Sequence, residues 1–162
     1  MRIISGNFKG KKILEPKDKE TRPLKDLTKE SIFNIINHSN KFFLDLEKSY
    51  VLDLFSGTGS FGLECLSRKA RHVSFVENYK EILPILKKNL SNLKTVKNYS
   101  IIEKNILIDT DFLEKKEKFD IIFLDPPYKE KEINNILNNL SKFKTLKLNG
   151  IIIIHRHKKE ED

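Results

Sequence analysis

The stretch Val51-Leu52-Asp53-Leu54-Phe55-Ser56-Gly57-Thr58-Gly59-Ser60-Phe61-Gly62 joins a short apolar run to a glycine-rich turn. A helical pattern, GLECLSRKA, follows directly. Strand, glycine turn and helix in that order open a βαβ unit, because glycine lets the backbone turn tightly and approach a ligand closely. Downstream, the runs VSFVE, YSIIE, FDIIFLD and GIIIIH alternate with amphipathic segments such as ILPILKKNL. Short β-branched runs alternating with helical patterns predict an α/β, Rossmann-like domain with a mainly parallel sheet and helices on both faces. Pro84 either begins the second helix or kinks it, since proline has no amide proton for an interior position.

The chain upstream of this core reads differently. Residues 1–45 are expected to form a basic hairpin and helix extension, and residues 46–162 the core, together one compact unit. RIISGNFKGKKILEP predicts two short strands about a turn at Gly10. A loop, TRPLKD, then leads to an amphipathic helix, LTKESIFNIINH, capped by Asp26 or Thr28, with Leu27, Phe33 and Ile36 roughly on one face. The first 30 residues carry nine Lys or Arg against five Asp or Glu. Arg2, Lys9, Lys11 and Lys12 are therefore the candidates for contact with a polyanion.

Composition sets limits. A chain of 162 residues fits one ordinary domain. The charge of +8 and pI near 9.4 suit a nucleic-acid partner. No run approaches the roughly 20 apolar residues of a membrane span, and the N-terminus lacks a secretory apolar region, so a cytoplasmic protein is expected. Cys65 is the single cysteine, which excludes an internal disulfide, and its helical apolar setting marks a small core residue. His155 and His157 alternate as strand residues do, but two imidazoles without a third ligand make a poor zinc site, so no metal is expected.

Several positions point to the cofactor. Gly57 and Gly59, with Phe55 in the same turn, would lie against the ligand. Asp53 would crowd a pyrophosphate but suits a cationic amino group, as in the methionine part of S-adenosylmethionine. Glu77 ends the second strand at the spacing where an acid meets ribose hydroxyls. Asn105, beyond the third strand, either meets an adenine edge or is an ordinary polar loop residue.

Asp125-Pro126-Pro127-Tyr128 follows FDIIFL at the carboxyl end of the sheet, where open α/β folds bind ligands. An exocyclic base amine is a poor nucleophile because its lone pair is delocalised into the ring. Asp125 and the Pro126 carbonyl can accept its two N–H groups and aim the nitrogen at a methyl carbon. Two prolines stiffen the loop and donate nothing, and Tyr128 offers a face for an extruded base. These residues predict methyl transfer to a nucleic-acid base.

With these motifs placed, the whole chain resembles the RsmD family, the bacterial 16S rRNA (guanine-N2) methyltransferases. The likeness rests on Arg2-Ile3-Ile4-Ser5-Gly6 with Phe8-Lys9-Gly10-Lys11, and on Thr21-Arg22-Pro23 followed by Lys29-Glu30-Ser31-Ile32-Phe33-Asn34. It rests also on DLFSGTGSFGLECLSR and DPPY. The resemblance implies a class I methyltransferase fold, S-adenosylmethionine as methyl donor, and a guanine N2 of 16S rRNA in a small ribosomal subunit or its assembly intermediate as target. A monomer is expected. It further implies that Arg22 and Pro23 form a loop near cofactor and target base, with Lys29 and Glu30 on the following helix.

Two departures from the family pattern stand out. Leu24 and Lys25 replace small hydroxyl residues, and the sequence stops soon after the fifth strand, where this fold normally adds a final strand pair. An unpaired edge is therefore expected there, with lower stability than in a form extended by a C-terminal hairpin. An adenine-N6 DNA methyltransferase uses the same loop chemistry but usually carries a target-recognition insertion, and none is visible. A dinucleotide oxidoreductase fits the glycines and not Asp53 or DPPY. A catalytically silent RNA-binding or ribosome-assembly factor is a further alternative.

Overall fold

In a computed structural model, described over residues 1–16, 24–39, 43–115, 117–127 and 132–156, the expected βα alternation is present. Helix α1 (Asp26–His38) precedes β1 (Tyr50–Leu54), α2 (Ser60–Ser67), β2 (His72–Val76), α3 (Leu83–Ser91) and β3 (Tyr99–Ile102). After a 3-10 turn (Asp111–Lys115) come β4 (Phe119–Leu124), α4 (Ile133–Lys142) and β5 (Leu146–Ile154). The five strands are all parallel, in the order β3-β2-β1-β4-β5. Pro84 lies in the first turn of α3, so it starts the helix instead of kinking it.

Alternation along the strands divides the core in two. Val51, Val73, Phe75, Ile121 and Phe123 pack with residues of α1, α2 and α3. Leu52, Leu54, Val76, Ile122 and Leu124 pack instead with Ile136 and Leu140 of α4 and Phe112 and Leu113 of the 3-10 turn. The central strands are thus covered on both faces, which explains their nearly continuous apolar sequence. Among the described residues no helix is long and apolar enough to cross a membrane.

The N-terminal arm departs from expectation in detail. Arg2 and Lys12 form a single antiparallel bridge, flanked by bonds from Ile3 N–H to the Lys11 carbonyl (2.9 Å) and Ile13 N–H to the Met1 carbonyl (3.0 Å). Ser5 to Gly10 are used in the turn, which leaves no room for two full strands. Gly6 is the demanding position of that turn. Its φ is +81°, and a Cβ there would lie 2.0 Å from the Ser67 carbonyl oxygen.

Helix α1 also needs correction. Lys25 precedes it without a side-chain cap, Thr28 lies inside it, and Asp26, in the first turn, accepts the Arg2 N–H at 3.3 Å. Leu27 is 76% exposed, because 100° per residue places it away from Phe33 and Ile36. The buried face is Lys29, Phe33 and Ile36, with Leu24 inserted just ahead of the helix. Phe33 stacks on Phe61 (5.3 Å between centroids) and Phe61 on Phe123 (4.0 Å), joining α1, α2 and β4. Helix α4, INNILNNLSK, was not anticipated.

Strand β5 occupies one sheet edge. Ile151–Ile154 pair with Ile121–Leu124, and the register slips between Phe119 and Ile121, where Asn149 adopts φ +66°.

The arm's turn gives a direct test. Gly6→Ala combines left-handed strain with a backbone clash and is expected to cost roughly 2–5 kcal/mol. A Cβ at Gly10 meets nothing within 4 Å, so Gly10→Ala carries only the conformational strain, about 1–2 kcal/mol. Urea unfolding midpoints of the two variants should separate in that order.

Candidate active site

The glycine turn is held open by its own backbone and by an acid. Phe55, Gly57 and Gly59 all have positive φ (57°, 55° and 82°), which lifts the loop away from β1 before α2 begins. Ser56 N–H bonds the Val76 carbonyl at 3.1 Å, and Gly59 N–H bonds the Ser56 carbonyl at 2.7 Å. Glu77, just past β2, accepts Gly57 N–H at 2.7 Å, and Asn78 and Tyr79 N–H at 2.8 and 2.9 Å. A Cβ at Gly59 would sit 2.6 Å from a Leu86 methyl, and one at Gly62 2.2 Å from the Phe75 ring. These glycines therefore permit close packing of helix on sheet as well as the turn.

Asp53 lies beneath this loop, on β1 between its partners Phe75 and Phe123. It is 1% exposed, and its Oδ2 accepts Gly62 N–H in the first turn of α2 at 3.0 Å. Burial pushes its carboxyl well above the usual carboxylate range; the Gly62 N–H opposes that shift, and the charges of Asp125 and Glu77 add to it. Three carboxylates thus converge on one edge of the sheet. Their joint field favours a cationic occupant.

Asp125 follows β4 directly, its N–H 3.4 Å from the Leu54 carbonyl. Pro126 is buried and Pro127 exposed. Asp125 Oδ1 lies 2.8 Å from His155 Nδ1, and this bond raises the His155 pKa above its ordinary value although partial burial opposes it. Asn105, past the end of β3, accepts Leu107 N–H through its side chain at 3.0 Å. Tyr128, Arg22, Pro23 and His157 lie outside the described residues.

The structure therefore brings Asp53, Phe55, Gly57, Gly59, Glu77, Asn105, Asp125, Pro126 and Pro127 to the carboxyl ends of β1 to β4. The basic residues of the arm are spread along its length. Asn7 N–H bonds the Ser67 carbonyl and Lys11 Nζ the Asn92 carbonyl, at the C-terminal ends of α2 and α3. Lys9 and Lys11 consequently lie toward the edge where the strands begin. Arg2 is nearer the site, since its carbonyl accepts Lys29 Nζ (2.7 Å), which also reaches Ser60 at the start of α2 (3.2 Å). Lys12 is exposed opposite Arg2.

The family resemblance names Lys29 only as a residue of the helix after Pro23, and the supporting roles of Lys29, Glu64 and Asn89 were missed in the sequence. Lys29 is fully buried, 3.8 Å from Glu64, and burial lowers its pKa. Glu64 accepts Ile4 and Ser5 N–H at 2.7 and 2.9 Å, pinning the arm to α2. Asn89 of α3 donates to the Thr58 and Leu14 carbonyls (3.0 and 3.1 Å), tying the glycine loop to the arm. Asn89 lies between Leu86 and Leu90 on the buried face of α3, an inward polar position that the helical period could have revealed. Cys65 is buried as expected, and burial raises its thiol pKa.

A raised carboxyl pKa in the folded state gives stability that is present below the unfolded value and lost as pH rises through the folded one. Asp53→Asn retains an acceptor for Gly62 N–H and removes that loss. Its melting temperature should exceed wild type at pH 8, with the gap closing toward pH 4. A constant gap at all pH values would be inconsistent with a strained carboxylate.

The chain is similar to known proteins. The family described as Conserved hypothetical protein 95 matches residues 1–162. Haemophilus influenzae "Ribosomal RNA small subunit methyltransferase D" is 34% identical over 162 residues, covering 98% of this chain and 79% of the relative. A Thermus thermophilus hypothetical protein superposes with a TM-score of 0.82 at 20% identity, covering 99% of this chain and 88% of its own, a likeness of fold. Precorrin-6y C5,15-methyltransferase from Geobacter metallireducens superposes with a TM-score of 0.65 at 16% identity, covering 86% of this chain and 66% of its own, a likeness of fold alone.

Proposed function

The chain belongs to the family described as Conserved hypothetical protein 95, the RsmD family, and from that premise we propose that it methylates the exocyclic N2 of a guanine in 16S rRNA, with S-adenosylmethionine as donor. The observation that carries this reading is the placement of Asp125 and Pro126 beside a glycine loop and two further carboxylates, at the point where the sheet order reverses. The relative's name supplies the substrate class, small-subunit rRNA. The nitrogen target comes from the loop chemistry.

The residues suit the cofactor. Gly57 and Gly59 allow close backbone approach, Glu77 would take the ribose hydroxyls, and Asp53 would favour the amino group through its field. Phe55 and Asn105 would flank the adenine. When bound, the cofactor supplies an electrophilic methyl group on a positively charged sulfur, and the acid-lined crevice suits that charge. Arg22 is assigned to the same side by the family pattern.

The chain's own work is orientation. Asp125 and the Pro126 carbonyl accept the two N–H groups of the target amine, which turns its lone pair toward the methyl carbon. Pro126 and Pro127 keep the loop stiff, and Tyr128 stacks on the base once it leaves its neighbours. Arg2 and Lys12 meet phosphates near the site, and Lys9 and Lys11 reach the RNA farther out. In this reading the protein acts as a cytoplasmic monomer on the small subunit or its assembly intermediate.

Incubation with radiolabelled cofactor and small subunits, naked 16S rRNA or DNA, followed by digestion to nucleosides, tests the proposal. Labelled N2-methylguanosine from ribosomal substrate is expected. Label in N6-methyladenine of DNA would replace the substrate assignment, and RNA binding without label would indicate a silent assembly factor. In the same assay Asp125→Ala should lower kcat about 10²–10³-fold with cofactor affinity nearly unchanged. Asp53→Ala should weaken cofactor binding first, as read by calorimetry.

A further inference from the structure

Asp125 has a partner that the proposed methyl transfer does not require. His155 follows the last residue of β5, and its N–H bonds the Leu124 carbonyl at 2.9 Å, one residue before Asp125. The backbone thereby sets the imidazole level with the carboxylate, and Nδ1 meets Oδ1 at 2.8 Å. Both side chains are partly sheltered, at 26% and 20% exposure. This bond engages Oδ1 and leaves Oδ2 for an incoming N–H.

Resting on the reading above, we infer that His155 is a positioning residue for Asp125 and that its protonation state decides whether the pair can take up the proton that the methylated amine must lose. As the N–C bond forms and the S–C bond breaks, the cofactor leaves as a neutral thioether. The amine nitrogen is left with one proton to lose. With His155 neutral and its Nδ1–H on Oδ1, the pair carries one negative charge; Oδ2 takes that proton, giving a carboxylic acid hydrogen-bonded to the imidazole, and then passes it to water. With His155 cationic, the imidazolium beside Oδ1 lowers the basicity of Oδ2, and the proton is not taken.

The surroundings leave Asp125 in control of His155. Among the described residues it is the charged group that acts on the imidazole, and it raises the pKa. Asp53 and Glu77 stand beyond Asp125. The α1 face turned toward the end of β5 is apolar, formed by Ile32, Ile35 and Ile36 opposite Ile151–Ile154. Asp120 and Lys147 pair with each other at 2.7 Å near the start of β4 and β5, and Arg156 follows His155 in the chain.

Two measurements test the inference separately from the function. In NMR titrations of the full chain, the His155 imidazole should titrate above the ordinary histidine range, and Asp125→Asn should bring it down. An unchanged His155 titration in that variant would overturn the pairing whatever the protein methylates. In single-turnover methylation of the ribosomal substrate, the wild-type rate should fall about tenfold per pH unit below the His155 titration. His155→Asn keeps a donor to Oδ1 but cannot titrate, so its profile should be flat across that window and lie below wild type at high pH. His155→Ala should lose more rate than His155→Asn. An Asn variant that retains the wild-type inflection would overturn the role of His155 and leave the methyltransferase reading intact, whereas a wild-type enzyme with no labelled product would defeat that reading and leave the NMR result standing.

Discussion

The reversal of strand order at β1 is the constraint from which the site follows. The chain winds outward from β1 through β2 to β3, then crosses back to place β4 on the other side of β1 and β5 beyond it. Parallel crossovers share one hand, so reversing the direction of travel moves the connecting helices to the opposite face. The two core clusters record this, with α2 and α3 packed on one face and α4 on the other. Loops that diverge to opposite faces leave a crevice between the ends of β1 and β4. Asp53 and Asp125 flank that crevice because their strands do.

Converging carboxylates at one sheet edge destabilise the folded chain, and the structure offsets the cost locally. Gly62 N–H supports Asp53, three backbone N–H groups support Glu77, and His155 supports Asp125. Each support bonds an acid directly, so the three carboxyls stay gathered at the crevice. A site built in this way attracts a cation more than it stabilises itself, a trade expected where function opposes stability.

The strands were legible because β-branched runs buried on both faces have no competing reading, and the glycine turn because its spacing is local. Helix α4 was harder. Six of the ten residues of its run INNILNNLSK are asparagine, serine or lysine, and only Ile133, Ile136 and Leu140 mark the buried stripe. The face of α1 was misjudged at Leu27, which the helical period alone sets away from Phe33 and Ile36, and the arm's strands were cut short by a turn whose length no residue announces. Among site residues, those on one motif were found together. The supports were missed because Lys29–Ser60, Asn89–Leu14 and His155–Asp125 join positions 30 or more residues apart, and the chemistry of each partner alone is unremarkable.

Helix α2 shows why the arm belongs to the site's architecture. All eight of its residues are buried, so its polar members, Ser60, Glu64 and Ser67, must find partners inside the fold. The arm supplies them along its length: Ser5 carbonyl and Phe8 N–H to Ser67, Ile4 and Ser5 N–H to Glu64, and Lys29 Nζ bridging Ser60 to the Arg2 carbonyl. The N-terminus of this helix is the end of the glycine turn, and its Gly62 N–H holds Asp53. A segment that reads as a basic appendage thus fixes the helix from which the glycine loop hangs, while Asn89 fastens the loop itself to the arm's return strand. Charge on the arm and geometry at the crevice are consequently linked through α2, and RNA contacts made by Arg2 would bear on the same element that positions Asp53.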